Sequence, residues 1–587
     1  MRYQIFFLVI IGGWITLTAC DATTQSEPDL TPKVNQLGYY PEAEKYAIVP
    51  DTDANDFVIK KAEGGSVVFE GELEDAGRNI PSGEEVKVAD FSAFTTPGNY
   101  VVEVNGQSSP SFEIGEDVLA PVTDGVLKAY YFMRASTPLE EAYAGKWARA
   151  AGHPDTAVMV HASAATEERP EGTIISSPKG WYDAGDYNKY VVNSGISTYT
   201  LLFAYEQFPD FFEAQDINIP ESDNDLPDIL DESLWNLRWL LTMQDPNDGG
   251  VYHKLTTASF EGAVMPDEAT SQRYVVMKNT PATLDFAAMM AQVARVYEPF
   301  LPEFADSALA AAKEAWQWAE ENPDVMYRQW DMNEEYEPDV VTGAYGDRDV
   351  SDERFWAGAE LFITTGDTQY YNPDGWKEAD INIPSWGGVR ALGLYSLVHH
   401  RESLPEISGE DKEALVETLL ELVDERVEEG ETAPYRSPFG YENEDFFWGS
   451  NGHAGNVGMA ILQAYQLTGD EQYYESALRV ADYLLGLNPT GYSYITGFGD
   501  KPVMNIHHRP SEADGIEDPV PGLVSGGPNP NNMNQDCGEE AYPNHYPAMA
   551  FIDDWCSYST NEITINWNAP VVYLFSGLEA LHPRKPN

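Results

Sequence analysis

Cysteine is almost missing from this chain. Three stand in 587 residues, Cys20, Cys537 and Cys556, and none is set at CxxC or Cys/His zinc spacing. That excludes a zinc ribbon and a CxxC redox centre. Basic residues are scarce as well. Against 97 Asp and Glu there are 34 Lys and Arg, a formal charge of −63. Such a surface repels nucleic-acid phosphates and anionic lipid headgroups, so neither is expected as a partner. It also argues against an acidic polysaccharide as substrate, since no run of Lys and Arg makes a local basic patch. Long apolar runs are absent too: Ile5 to Leu17 falls short of the ~20 residues a spanning helix needs.

That apolar stretch follows Arg2 and ends at Leu17-Thr18-Ala19-Cys20, which resembles the bacterial lipobox. Residues 1–20 therefore read as a lipoprotein signal peptide, with Cys20 as the lipidated residue, and 21–32 as a tether. The expectation is an exported bacterial lipoprotein, periplasmic or at the cell surface, that meets the membrane through its lipid alone. In an exported chain two remaining thiols pair, so Cys537 and Cys556 are expected to form a disulfide.

Aromatic side chains are plentiful, 12% of the chain with 14 Trp and 34 Tyr. They fill cores and also make platforms for sugar rings. Residues 33–116 carry short alternating runs such as Phe57-Val58-Ile59 and Tyr100-Val101-Val102-Glu103-Val104, separated by turn signals at Gly64-Gly65, Pro97-Gly98-Asn99 and Asn105-Gly106. This predicts a small β-sandwich. From 122 onward the pattern turns helical. Leu230, Leu234, Leu237 and Leu241 share one helix face. Further helices are predicted at 282–297 and near 303–320, 352–365, 388–400, 409–428, 453–467, 471–486 and 567–581. Long polar loops at 154–180, 243–280 and 500–550 separate some of them. The series fits a barrel of helix pairs whose loops build a cleft at one end, and equally another all-α fold.

Three loop segments concentrate chemistry. Gly180-Trp181-Tyr182-Asp183-Ala184-Gly185-Asp186-Tyr187 sets two Asp three apart with small residues between. Both carboxylates can turn to one point, hold a water and raise its basicity. A calcium loop or a helix cap would show the same spacing. Ser493–Gly499 runs on to Ile506-His507-His508-Arg509-Pro510, which offers donors for sugar hydroxyls, or else ordinary packing. Phe551-Ile552-Asp553-Asp554-Trp555 leads through Tyr558 to Asn561-Glu562-Ile563-Thr564 and an apolar helix. A carboxyl there, beside Trp and Ile, is partly desolvated, which suits a general acid. A Glu that merely favours the helix macrodipole would sit in the same place.

Together these segments resemble glycoside hydrolase family 9, the inverting cellulase family. Ser493 to Arg509 is similar to its histidine signature through Gly499, Lys501, Ile506, His507 and Arg509. Phe551 to Ala569 is similar to its acidic signature through Asp553, Tyr558, Glu562, Thr564, Asn568 and Ala569. Asp183-Ala184-Gly185-Asp186 resembles its base motif. Val34-Asn35-Gln36-Leu37-Gly38-Tyr39 and Asp90-Phe91-Ser92 through Tyr100 resemble the immunoglobulin-like module that precedes the catalytic domain in one branch. The resemblance implies a mainly α protein: an (α/α)6 barrel catalytic domain over 122–585 behind an immunoglobulin-like β-sandwich over 33–116.

Carried over by position, the resemblance makes Asp186 the base that deprotonates water, Asp183 its helper and Glu562 the acid. Asp553 becomes a site carboxylate, and His507 and Arg509 become sugar-binding residues of the cleft. Tyr345 falls near the reacting sugar, and Trp181 is expected to contact substrate. Asp349 to Glu353 resembles a calcium site, with Asp349, Asp352 and Glu353 as ligands. The branch's zinc cysteines are replaced by Ala135 and Gly152, leaving His153 and His161, so zinc is not expected and no cofactor enters the chemistry. The implied activity is endo-acting hydrolysis of β-1,4 bonds in a β-glucan: cellulose, mixed-linkage glucan or xyloglucan. The alternatives are an exo-acting cellodextrinase, β-glucosidase or glucosaminidase on the same scaffold, a polysaccharide lyase, and a non-catalytic glycan-binding lipoprotein.

Overall fold

The computed structural model describes residues 30–582. Cys20, the signal peptide and nearly all of the tether lie outside the described residues.

The N-terminal region folds as strands β1 Gly38–Tyr39, β2 Tyr46–Pro50, β3 Asp56–Lys61, β4 Val67–Arg78, β5 Glu85–Asp90, β6 Gly98–Val104, β7 Gln107–Ser108 and β8 Phe112–Ile114. They pair in the order β1-β8-β6-β3-β4-β5-β2, with β7 on β6. The twelve-residue β4 is shared by two layers: its first half pairs with β3 and its second with β5. Period-two alternation does the sorting. In β6, Tyr100, Val102 and Val104 turn inward and Val101 and Glu103 outward. Tyr39, Phe57, Ile59, Phe91 and Phe112 complete that core.

From Ala120 the chain is an (α/α)6 barrel. Its inner helices are Val191–Gln207, Thr280–Tyr297, Ser351–Thr365, Arg390–His400, Ser450–Thr468 and Ile565–Leu581. The first packs on the second, the second on the third and the third on the fourth. The sixth packs on both the fifth and the first, and Gly409–Glu421 touches the fourth and fifth to close the ring. Local signals set the ends. Asn279 caps Thr280–Tyr297 by accepting from the Ala282 N–H. Gly469, left-handed at φ +68°, ends one helix, and Asp470 caps the next. On the outer helix Pro302–Glu321 the buried face is largely alanine, Ala305, Ala308, Ala312, Ala315 and Ala319, which lets it lie close against Thr280–Tyr297.

Two expectations need correction. The helix predicted at 409–428 is two, Gly409–Glu421 and Asp424–Thr432. The stretches read as loops at 154–180 and 243–280 carry strands β9 Val158–Val160, β10 Ile174–Ile175, β12 Lys254–Thr257 and β13 Arg273–Val275. With β11, Lys189–Tyr190, they make a sheet in the order β10-β9-β13-β12-β11. Runs of two to four residues are too short to show a period. This sheet matters because β11 directly follows the paired-Asp motif and leads into the first inner helix.

The sandwich also braces the barrel's loops. Asn35 donates to Asp482 at 2.7 Å, and Gln36 donates to the Gly491 carbonyl while accepting from the Lys501 N–H at 2.8 Å. Gly499 is at φ +97°, and a Cβ there would lie 2.8 Å from the Gln36 oxygen. Gln36 is thus wedged beneath the loop that leads to His507.

Candidate active site

A cleft of about 1110 Å³ opens at the loop end of the barrel. The paired-Asp loop, the 341–345 and 384–387 segments, 447–456, His507 with Arg509, and 558–567 line it. The three segments singled out in the sequence meet here through their backbones. Ala184 pairs with Thr564 and His507 with Glu562 as isolated bridges, and the Ile565 N–H donates to the Asp183 carbonyl at 2.9 Å. Gly185 makes that closeness possible: a Cβ on it would sit 1.9 Å from the His507 carbonyl oxygen.

Asp183 is 1% exposed. Asn193 donates to its Oδ1 and the Tyr345 hydroxyl to its Oδ2, both at 2.9 Å. Burial, then the charge of Asp186, push its carboxyl well above the usual range, against these two hydrogen bonds. Asp186 accepts on Oδ2 from Asn188 at 2.5 Å and from the Tyr190 hydroxyl at 3.2 Å. Its Oδ1 has no partner among the described residues, and the residue lines the cleft. One oxygen is therefore fixed by donors while the other is left with its hydrogen-bonding capacity unfilled.

Glu562 lies where the segment turns toward the last inner helix, which Thr564 caps by accepting from the Asn566 N–H. Half-buried at the cleft wall, it carries a carboxyl raised well above its ordinary value, first by burial and then by Asp186. Arg509 and the Gly185 N–H pull the other way without winning. A carboxyl so placed favours its protonated form.

His507 stacks on Trp555 with ring centres 4.2 Å apart. Its Nδ1 donates to the Trp555 carbonyl at 2.8 Å, which leaves Nε2 as the acceptor. Burial holds its basicity down. Arg509 donates from Nη1 to the Gly185 carbonyl at 2.7 Å and from Nε to the Glu261 carbonyl at 2.8 Å. It locks the paired-Asp loop while lining the cleft. Tyr345, at φ +45°, bridges Asp183 to Trp386, whose ring it meets edge-on at 5.1 Å.

Two predicted site residues lie elsewhere. Trp181 is 0% exposed and cannot touch substrate. Its indole N–H donates to Glu232 at 2.8 Å and its ring packs on Tyr130. Asp553 does not line the cleft. Its carboxylate accepts from the Met504 and Asn505 N–H groups and from Asn561, at 2.8–2.9 Å, tying the Glu562 segment to the histidine loop. Cys537 and Cys556 are joined as a disulfide across 19 positions, so their proximity to Asp554 offers no thiolate to a metal.

Other cleft residues went unnamed in the sequence reading, Tyr190, Phe260, Trp386 and Trp448, as did Asn193, buried behind Asp183. Trp386 and Trp448 stand beside glycines in Ser385-Trp386-Gly387-Gly388 and Phe447-Trp448-Gly449, and an aromatic beside glycine in a loop is the signal that marks them.

The zinc position is filled differently. His153 gives Nδ1 to the Tyr182 hydroxyl, and His161 is bonded to Ser163 and the Pro338 carbonyl. Beside His153, buried Asp155 lies 2.8 Å from Lys189 and 3.3 Å from Arg273. Lys189 in turn donates to the Lys179 carbonyl and Arg273 to the Tyr187 carbonyl. An ion triad holds the paired-Asp loop here, and the donors do not fit zinc. Of the carboxylates expected for calcium, Asp349 is exposed and accepts from Ser351. Asp352 accepts from the Val389 N–H, and Glu353 and Asp285 are buried with oxygens that have no partner among the described residues. Burial raises both, followed by Asp285 at Glu353 and by Asp352 at Asp285. Oxygen donors of this kind suit a hard divalent cation, but among the described residues the three are not drawn together as a ligand cluster.

Comparison with known proteins agrees with this geometry. A family model described as glycosyl hydrolase family 9 matches residues 120–575, and one described as the cellulase N-terminal ig-like domain matches 31–109. The chain is 45% identical to the xyloglucan-specific endo-beta-1,4-glucanase BoGH9A of Bacteroides ovatus, covering 99% of this chain and 98% of that one. It is 31% identical to endoglucanase D of Acetivibrio thermocellus, covering 96% and 85%. The solved structure of Bacteroides ovatus GH9 superposes with a TM-score of 0.87 at 45% identity, over 94% of this chain and 99% of that one. The chain belongs to glycoside hydrolase family 9, its catalytic barrel preceded by an immunoglobulin-like domain.

Proposed function

We propose that this protein is an inverting endo-β-1,4-glucanase, with xyloglucan as its preferred glucan. One observation carries the mechanism: two carboxyls line one cleft, Asp186 with an oxygen that has no partner among the described residues and Glu562 with its protonated form favoured by burial. Glu562 gives that proton to the leaving glycosidic oxygen while Asp186 takes one from the attacking water. Asp183, fixed by Asn193 and Tyr345, orients the water from behind. A single displacement of this kind needs the two carboxyls about 6.5–9.5 Å apart, so that a water fits between base and sugar.

The endo reading draws support from the cleft walls. Of the long loop 500–550, His507 and Arg509 line the cleft, while no described residue of 510–557 does, which supports an open end. The xyloglucan reading draws support from the Bacteroides ovatus relative's name and from aromatic sides, Phe260, Trp386, Trp448 and Trp567, that flank a chain with side branches. Two further readings rest on the sequence and the buried acids. Lipid on Cys20 anchors the mature enzyme. Asp352, Glu353 and Asp285 would have to close together to hold a calcium ion, which would neutralise them with no part in bond cleavage.

Reducing-sugar release from xyloglucan, mixed-linkage glucan and carboxymethylcellulose, with product lengths, tests the reading. Xyloglucan should be cut fastest, with long fragments first. Release of short products only, from any of the three, would count for an exo-acting enzyme.

A further inference from the structure

Trp330 is 86% exposed, the most exposed large apolar side chain among the described residues. It lies on the short helix Gln329–Glu335, which is fastened to the cleft wall. Gln329 donates to the Thr342 carbonyl at 2.9 Å. Asn333 donates to the Val340 carbonyl at 2.9 Å and accepts from the Val340 N–H at 3.0 Å. Met332 points the other way, into a small core with Val276, Tyr327 and Val340.

At about 100° per residue, the core side (Met332) and the wall side (Gln329, Asn333) adjoin on this helix. Trp330 comes next around it and is turned to solvent. Val341, on the segment this helix is bonded to, is exposed as well. Its neighbours Val340 and Thr342 are buried, while Val341 is 57% exposed and lines the cleft. The Val341 N–H donates to the Ala258 carbonyl at 2.8 Å, two residues before Phe260, which is also exposed and also lines the cleft. Scattered exposed apolar residues are normal. Val341 and Phe260 line the cleft, and the exposed indole of Trp330 stands on a helix bonded to the segment that carries Val341; exposed apolar groups gathered beside a cleft mark a contact surface.

We propose that Trp330 is an outer stacking platform for the glucan, extending the substrate path beyond the cleft past Phe260 and Val341. The inference rests on the glucanase reading above. The charge around the platform selects the occupant. Asp331, Glu334 and Glu335 flank Trp330 on a chain of formal charge −63, which disfavours an acidic protein or a membrane. A neutral sugar ring presents an apolar face to the indole and hydroxyls to the acids around it.

The test compares Trp330→Ala with wild type on polymeric xyloglucan and on a short xyloglucan oligosaccharide that fills the cleft alone. The ratio of polymer to oligosaccharide kcat/KM should fall about three- to tenfold, through KM on the polymer. Trp330→Phe, which keeps a flat ring, should restore most of it. Retardation of the Glu562→Gln protein in a xyloglucan gel should weaken when Trp330→Ala is added. An unchanged ratio in an enzyme that cuts xyloglucan would overturn the platform and leave the glucanase reading standing. Equal loss on both substrates would mark a structural role and overturn it as well. A wild-type protein inactive on every β-glucan would overturn the glucanase reading, and the platform with it.

Discussion

Asp155 and Asp183 are both buried, 5% and 1% exposed, the first beside the paired-Asp loop and the second in it, yet they are held in opposite ways. Burial pushes Asp155 up, but Arg273 and Lys189 pull its carboxyl below the ordinary range. Glu206 is held down in the same manner, by Arg295 and His400 against its burial. Asp183 has only hydrogen bonds and a second carboxylate beside it. Burial and Asp186 raise it, and Glu562 is raised by the same two causes. Burial alone therefore does not mark a reactive acid in this barrel. What sets Asp183 and Glu562 apart is that burial is not offset by a cation and that both carboxyls also line the cleft; Glu353 and Asp285 are raised too, but away from it.

The largest effect should come from removing one of the unpaired acids. Glu562→Gln should lower kcat on natural glucans by roughly 10²–10⁴-fold. It should cost far less on aryl glycosides whose leaving groups need no proton. Asp186→Asn should be poor on both, since water must still be activated. Equal losses for Glu562→Gln on the two substrates would show that Glu562 is not the acid.

The paired side breaks differently. Asp155→Ala leaves Lys189 and Arg273 buried without their anion, and unfolding in denaturant should show a loss of about 3–5 kcal/mol. A change under 1 kcal/mol would mean that the triad is not what holds the loop.

The pH response separates the two groups by sign. A carboxyl raised in the fold binds more protons folded than unfolded, so its contribution falls as pH climbs above the unfolded value of about 4. A depressed one contributes above that value and is lost as pH falls through its lowered folded value. Relative to wild type, Asp183→Asn should gain stability steadily as pH rises, and Asp155→Asn should close its deficit as pH falls. Melting curves across the acid and neutral range would show either trend, and parallel curves would remove the distinction. Activity should decline on the alkaline side as Glu562 loses its proton.

The smallest effect concerns the acids outside both groups. Salt screens their mutual repulsion over about 10 Å at 0.1 M, so the melting temperature should rise by a few degrees between low salt and moderate sodium chloride. A flat or falling curve would show that the charge excess is already balanced in the fold.

The three segments that build the site were legible because each is contiguous and each keeps its chemistry within a few residues of a glycine or a helix start. Asn193 and Tyr190 were not. They stand at the start of the helix Val191–Gln207, which is buried over nearly its whole length and so shows no amphipathic stripe to announce it. Trp181 was misread for the opposite reason: it is two residues from Asp183, but its indole is drawn down to Glu232 in the wall behind. Asp553 shares a segment with Glu562, yet backbone N–H groups from a loop nearly fifty residues earlier claim both its oxygens. The two-domain plan was legible from a change of period near 116–122. The five-stranded sheet that carries the base loop was not, because its strands are too short to have one.

If Asp186 and Glu562 act together in one displacement across the cleft, the anomeric centre inverts. Proton NMR of the first product formed from a β-linked glucan reads this out. The α-anomer should appear first and the β-anomer only later, by mutarotation. The β-anomer appearing first would rule the single displacement out.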